Sequence, residues 1–148
     1  MEQRLGAGRR AVFMEGVHDG VPIALGYFVV AFTLGILAKT AGLSAWQGFV
    51  TSAVNIASAG EYAGFTVIAA QAPYLEIAVL TLVANARYFL MAAALAQRFA
   101  PDTPLLHRLA VSFGVTDEVF GITVARGGMV QPYYNYGALA ISVPAWSA

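Results

Sequence analysis

Cysteine is absent from this 148-residue chain, which excludes disulfides, thiolate metal sites and cysteine nucleophiles. Charge is scarce too: eight Lys plus Arg and eight Asp plus Glu make 11% of the residues and cancel to a formal net charge of zero. Soluble domains carry roughly 25% charged residues. No basic field is available, so a nucleic-acid partner is excluded. Two histidines occur, His18 and His107, both outside the apolar runs, so no metal site is expected. What is plentiful is apolar: 59% of residues are hydrophobic and the mean hydropathy is +0.68. Sixteen charges cannot cover a soluble globule of this length, and the composition is that of a membrane protein.

The pattern predicts an all-α, polytopic transmembrane helical bundle forming one membrane domain over residues 1–148. Arg4, Arg9 and Arg10 precede the first apolar run without a small-residue cleavage site. Residues 1–17 therefore read as a cytoplasmic tail or interfacial segment before a retained span. That span lies near 21–39, with Asp19 as N-cap, Pro22 in the first turn and Gly42 as a left-handed cap after its end. Further spans are expected near 76–97 and 104–126, the latter opening at Thr103-Pro104 and ending before Gly127-Gly128. A partial span over 136–148 follows the aromatic cluster Tyr133-Tyr134-Asn135-Tyr136, a composition suited to a membrane interface. That last run is too short to close a bilayer, so the chain is expected to be a fragment or one half of an assembly.

Residues 44–72 read differently. Ser44-Ala45-Trp46-Gln47 and Ser58-Ala59-Gly60-Glu61 are two capping-box patterns fourteen residues apart. They predict helices near 45–57 and 59–71, each roughly 20 Å long at 1.5 Å per residue, too short for a ~30 Å bilayer core. The segment is either one broken helix crossing once or a re-entrant pair with its tip at Ala57–Gly60. The re-entrant path puts Arg4, Arg9, Arg10, Arg98 and Arg108 inside against Lys39 and Arg126 outside. The crossing path moves Arg126 inside and Arg98 and Arg108 outside, a smaller bias. The positive-inside rule favours the re-entrant path, with the N-terminus cytoplasmic. Beyond the paired boxes no internal repeat is visible.

Two runs carry charge where a span should have none. Ile77–Ala96 holds Arg87 at its midpoint, and Leu109–Ala125 holds Asp117-Glu118. A charge at bilayer depth costs at least ~2.5–3.5 kcal/mol, so these residues face a polar interior. On a continuous helix, Gly114, Asp117, Glu118 and Gly121 form one stripe at i, i+3, i+4 and i+7. Asn85 and Arg87, two residues apart, point to nearly opposite sides. Arg87 either forms a structural pair with Asp117 or Glu118 or receives a substrate carboxylate. One Arg does not neutralise two adjacent acids, so the second carboxylate is protonated or awaits a cation. Glu61 either completes its capping box or sits at a helix break whose positive end can receive an anion. Together these groups suggest a zwitterion site with apolar walls from Phe113, Phe120, Tyr88 and Met91. The candidate substrate-binding or proton-coupling set is Arg87, Asp117, Glu118, Glu61, Asn85, Thr116, Ser58 and Asn55. Adjacent acids on one helix are poor geometry for an intramembrane hydrolase, so neither an enzymatic role nor a cofactor is expected. The alternative to transport is a channel-like or non-transporting subunit whose charges only staple helices.

Several blocks carry a resemblance: Phe13-Met14-Glu15-Gly16, Asp19, Pro22-Ile23, Gly42-Leu43-Ser44, Ala57–Ala63, Asn85-Ala86-Arg87 and Thr116-Asp117-Glu118-Val119-Phe120. In order and spacing the chain resembles the AzlC-type branched-chain amino-acid exporters along nearly its whole length. The resemblance implies a multi-pass permease of the prokaryotic inner membrane that exports branched-chain or similar aliphatic amino acids. It also implies use of the proton gradient and a small AzlD-type membrane subunit as partner. Three departures accompany it: Glu61 where the family usually has Gln, Tyr88 where a His often follows the Arg, and further spans in family members beyond the point where this chain stops.

Overall fold

One uninterrupted helix, α1 (Glu2–Thr40), runs through the positions expected to start a span. Six more follow: α2 (Ala45–Val54), α3 (Ser58–Ala69), α4 (Tyr74–Ala96), α5 (Leu105–Phe113), α6 (Asp117–Ala125) and α7 (Pro132–Ser147). The computed structural model describes residues 2–147, with side chains from Gly8 onward; the Arg4 side chain lies outside the described residues. Among the described residues the one β feature is an isolated bridge between Phe99 and Val130.

Asp19 is not an N-cap and Pro22 does not begin the helix. Both lie inside α1, and Asp19 accepts a hydrogen bond from Tyr134 at 2.7 Å. Tertiary packing overrides the local proline signal here. A Cβ at Gly16 would overlap the Tyr134 carbonyl, and one at Gly20 would press on Ala138. A Cβ at Gly137 would likewise overlap the Phe13 carbonyl. α1 and α7 therefore run side by side in the same direction with backbones in contact, as small residues permit between membrane helices.

α1 ends as expected. Gly42 adopts φ +84°, and the Leu43 amide bonds back to the Ala38 carbonyl at 3.0 Å, a left-handed cap. The Ser44 capping box then starts α2, with Gln47 N–H on Ser44 Oγ at 3.3 Å and Ser44 N–H on Gln47 Oε1 at 2.8 Å. α2 and α3 form a V. Ser52 and Glu61 meet at 3.1 Å, whereas nine residues along a straight helix cover about 13 Å. Phe65 packs with Leu34 and Ala38 near the end of α1. Gly60 faces Asn85 while Gly64 faces Thr81, so α3 and α4 are antiparallel. The pair thus enters from the end where α1 finishes and returns to it.

The stretch expected as one helix over 104–126 is broken at Gly114–Thr116 into α5 and α6. Thr116 caps α6 by accepting from the Val119 amide at 3.2 Å, and Asp117 and Glu118 fill its first turn. The four-residue stripe through Gly114 and Gly121 therefore does not exist as one helix face. α5 starts beside the beginning of α1, where Thr103, Pro104 and His107 gather with Gly8, Arg9 and Val12. α6 returns to that same end, where Arg126 bonds Glu15 at 2.6 Å. The molecule thus contains two long helices, α1 and α4, each followed by a hairpin, and the hairpins enter from opposite ends.

Two apolar clusters hold this arrangement. One joins Ile23, Tyr27, Leu34, Phe65, Val119 and Trp146; the other joins Leu95, Phe99, Val111, Val115 and Val130. Outside them, Leu25, Phe28, Phe32 and Ile36 on α1 and Leu82, Val83, Phe89 and Leu90 on α4 are exposed. α1 from Gly8 and α4 are each long and apolar enough to cross a membrane. An outward apolar belt on such helices suits lipid.

Candidate functional site

The tips of the two hairpins meet beside the middle of α1. Ser58 from the first and Glu118 from the second line one open cavity of about 350 Å³, together with Pro22, Ile23, Gly26, Tyr27, Val30 and Trp146. The walls come from α1 and α7. They do not come from Phe113, Phe120, Tyr88 and Met91, and Phe113 is exposed.

The Tyr27 hydroxyl is the polar hub of this cavity. It lies 2.6 Å from Thr116 Oγ1 and 2.6 Å from Glu118 Oε2. A phenol has one proton and a carboxylate only accepts, so Tyr27 donates to Glu118 and accepts a hydrogen bond from the Thr116 hydroxyl. Thr116 is buried, and its oxygen accepts from the Val119 amide. Glu118 itself is exposed on the cavity side.

The two adjacent acids divide their partners. Asp117 takes Arg87, with Nη2 2.9 Å from Oδ2 and both side chains about half exposed. Arg87 also donates to the Tyr88 hydroxyl at 3.1 Å and lies 5.0 Å from that ring. Glu118 is left with the neutral Tyr27. The opposed directions of Asn85 and Arg87 have a physical use: α4 stands between the hairpins and serves one with each residue. Asn85 Nδ2 donates to Asn55 Oδ1 at 3.0 Å, tying α4 to the first tip. Its Oδ1 is a buried acceptor with no donor in reach among the described residues.

Glu61 does not complete a capping box. The N-cap of α3 is Ala57, with no side-chain cap, and Ser58 is already the first helical residue. Glu61 turns into the core instead, where Ser52 Oγ donates to Oε2 at 3.1 Å and Trp146 Nε1 donates to Oε1 at 3.0 Å. It is 1% exposed. Two strong neutral donors outcompete a local backbone amide for a carboxylate held away from water.

The structure thus brings Ser58 and Glu118 to one cavity, with Thr116 buried behind it on Tyr27, Arg87 and Asp117 paired beside Glu118, and Asn55 and Asn85 at the first tip. Glu61 lies behind Trp146. Tyr27, Ser52 and Trp146 escaped the sequence reading. Tyr27 and Trp146 sit inside apolar runs with no local polar pattern, and their partners are 91 and 85 residues away.

A family model described as AzlC protein matches residues 22–148. An uncharacterized membrane protein of Archaeoglobus fulgidus is 30% identical over 116 residues, 78% of this chain and 50% of that protein. The inner membrane protein YgaZ of Escherichia coli is 33% identical over 117 residues, covering 78% and 47%. An uncharacterized membrane protein of Helicobacter pylori is 28% identical over 114 residues, covering 74% and 49%. The chain spans about half the length of these curated relatives. No solved structure matches it.

Proposed function

Because the chain belongs to the AzlC protein family and is an all-α membrane bundle, we propose that it forms part of a permease exporting branched-chain or similar aliphatic amino acids. The observation that carries this reading is the cavity where the tips meet: a carboxylate, Glu118, that bonds no cation among the described residues, one uncapped helix start at Ser58, and apolar walls otherwise. An amino-acid ammonium docks on Glu118, displacing the Tyr27 hydroxyl. Its carboxylate takes the free amides at the start of α3, where the helix dipole favours an anion. Ile23, Val30 and Trp146 enclose an aliphatic side chain. Broken helices at mid-membrane, in units of opposite orientation, are a recurrent transporter device. Arg87 and Asp117 act as a staple between α4 and the second tip, and Asn55 and Asn85 do the same for the first.

In this reading the protein is multi-pass. Arg9, Arg10, Arg98, Arg108 and Arg126 lie at the end where α1 begins, and Lys39 lies at the other. The positive-inside rule then puts the N-terminus in the cytoplasm. A proton drives export, and a small AzlD-type membrane subunit completes the assembly. The test is leucine counterflow in proteoliposomes containing the assembly. Glu118→Gln is expected to raise the apparent leucine Km roughly 10- to 100-fold, the worth of one charged hydrogen bond at ~1.5–3 kcal/mol. Counterflow with wild-type parameters in Glu118→Gln would defeat the reading.

A further inference from the structure

Glu61 is a buried carboxylate for which the substrate cavity has no use, and three observations give it one. Its partners are neutral: Ser52 and Trp146 donate one hydrogen bond to each oxygen. Among the described residues its surroundings offer no nearby cation. α2 has no titratable residue, and α7 presents Trp146. α4 presents Thr81 and Asn85 and turns Arg87 to Asp117. α1 presents Tyr27, whose hydroxyl is held by Glu118, and Lys39 at its exposed last turn. On α3 itself Tyr62 faces outward. Finally, a second cavity of about 500 Å³ leads to the donors of Glu61, running from Lys39 and Ser44 past Gly48 to Ser52 and Trp146. Trp146 lines this cavity and the Glu118 cavity alike, so it is the wall between them.

The two donors differ in a way that matters. Trp146 can only donate, and it holds Oε1 in either state of the acid. Ser52 can donate or accept. With Glu61 ionised, the Ser52 hydroxyl donates to Oε2. With Glu61 protonated, the new O–H donates to Ser52 Oγ, and the serine proton turns into the cavity that half-buried Ser52 lines. Both carboxyl oxygens keep their partners in either state, so neither state leaves the buried acid with an orphaned oxygen. A metal cation would meet the indole N–H on Oε1 and only one neutral oxygen, that of Ser52, on Oε2.

We infer that Glu61 is the site of the coupling proton, reached through the cavity from Lys39 and Ser44 and divided by Trp146 from the carboxylate that takes the substrate ammonium. The inference rests on the transport reading for its purpose, and its test separates the two. Purified wild type and Glu61→Gln are compared by infrared difference spectroscopy across pH. A carboxylic-acid band that appears on acidification in wild type and is missing from Glu61→Gln is the expected result; identical spectra overturn the assignment. Should Glu61→Gln fail to fold, Glu61→Asp serves: a shifted band supports the assignment and an unmoved one overturns it. In proteoliposomes, the ratio of pH-gradient-driven leucine accumulation to leucine counterflow collapses in Glu61→Gln while counterflow stays measurable. A ratio equal to wild type overturns the coupling role. Absence of counterflow in the wild type defeats the transport reading instead, and the infrared titration still decides whether Glu61 carries a proton.

Discussion

The hairpin of α2 and α3 keeps its carboxylate away from every nearby cation, whereas the hairpin of α5 and α6 offers two carboxylates at its tip and spends one of them on Arg87. Both hairpins are short helix pairs broken by three residues, entered from opposite ends and packed against a long helix. They differ in which part of the second helix carries the acid. Glu61 is the fourth residue of α3 and points inward; Asp117 and Glu118 are the first two of α6 and point to the cavity and its flank. Position along the helix, together with the donors that meet it, separates a buried carboxylate from a presented one. The aromatic pair ties the two settings together. Tyr27 holds Glu118, Trp146 holds Glu61, and their rings meet edge to face at 5.1 Å.

That link depends on the seam between α1 and α7, since Tyr27 comes from one helix and Trp146 from the other. Gly137→Leu breaks it. Its side chain would meet the Phe13 backbone, which has no flexible end to move. The expected cost is at least about 3 kcal/mol, the top of the usual range for overpacking, read as loss of the folded monodisperse species in detergent. Gly121→Ala on α6 is the control. A Cβ there meets nothing within 4 Å, and α6 should be unharmed or firmer by up to about 1 kcal/mol.

The start of each hairpin sharpens the comparison at a smaller scale. α2 begins with a reciprocal box, while α5 begins after Pro104 with no side-chain cap. Ser44→Ala is expected to lower stability by about 1 kcal/mol. Thr103→Ala, at the matching place in the second hairpin, should stay within roughly 0.5 kcal/mol. Thermal unfolding of the two variants side by side checks the difference.

The Ser44 box and the Gly42 cap were legible because every atom they use lies within a few residues. The first hairpin was half legible: its break announced itself through small residues, but Ser58 imitated a cap, whereas the N-cap position falls on Ala57 and no side chain caps α3. The second hairpin was hidden by hydropathy. Apolar residues continue across Gly114–Thr116, so periodicity reads one span. The overlooked signal was Thr116-Asp117-Glu118, a cap residue followed by acids in the first turn, which marks a helix start. Pro22 misled in the other direction, because a start signal lost to the contact between α1 and α7. The divergent aim of Asn85 and Arg87 followed from helix geometry alone, yet the hairpins that receive them required the fold. Tyr27 and Trp146 were invisible because an aromatic residue in an apolar run has no pattern until its distant partner is known.

The smallest expected effect concerns Arg87 and Asp117, and it tests how the second tip is held. Both side chains are about half exposed, so their attraction is screened wherever water reaches them. A pair in that setting contributes about 0.2–1 kcal/mol. A fully enclosed pair would lose roughly 3–5 kcal/mol when one partner is removed. A double-mutant cycle of Arg87→Ala and Asp117→Ala, read by thermal unfolding in detergent, distinguishes these regimes. A coupling within 1 kcal/mol means the tip is positioned mainly by Thr116 on Tyr27 and by the Val119 contacts, with the ion pair fixing only orientation. A coupling of several kcal/mol means the pair is enclosed in the working protein, and the two hairpins are then closer in character than their tips suggest. Repeating the cycle on Asn55 and Asn85, which do the same job with neutral groups, gives the baseline for a link that carries no charge.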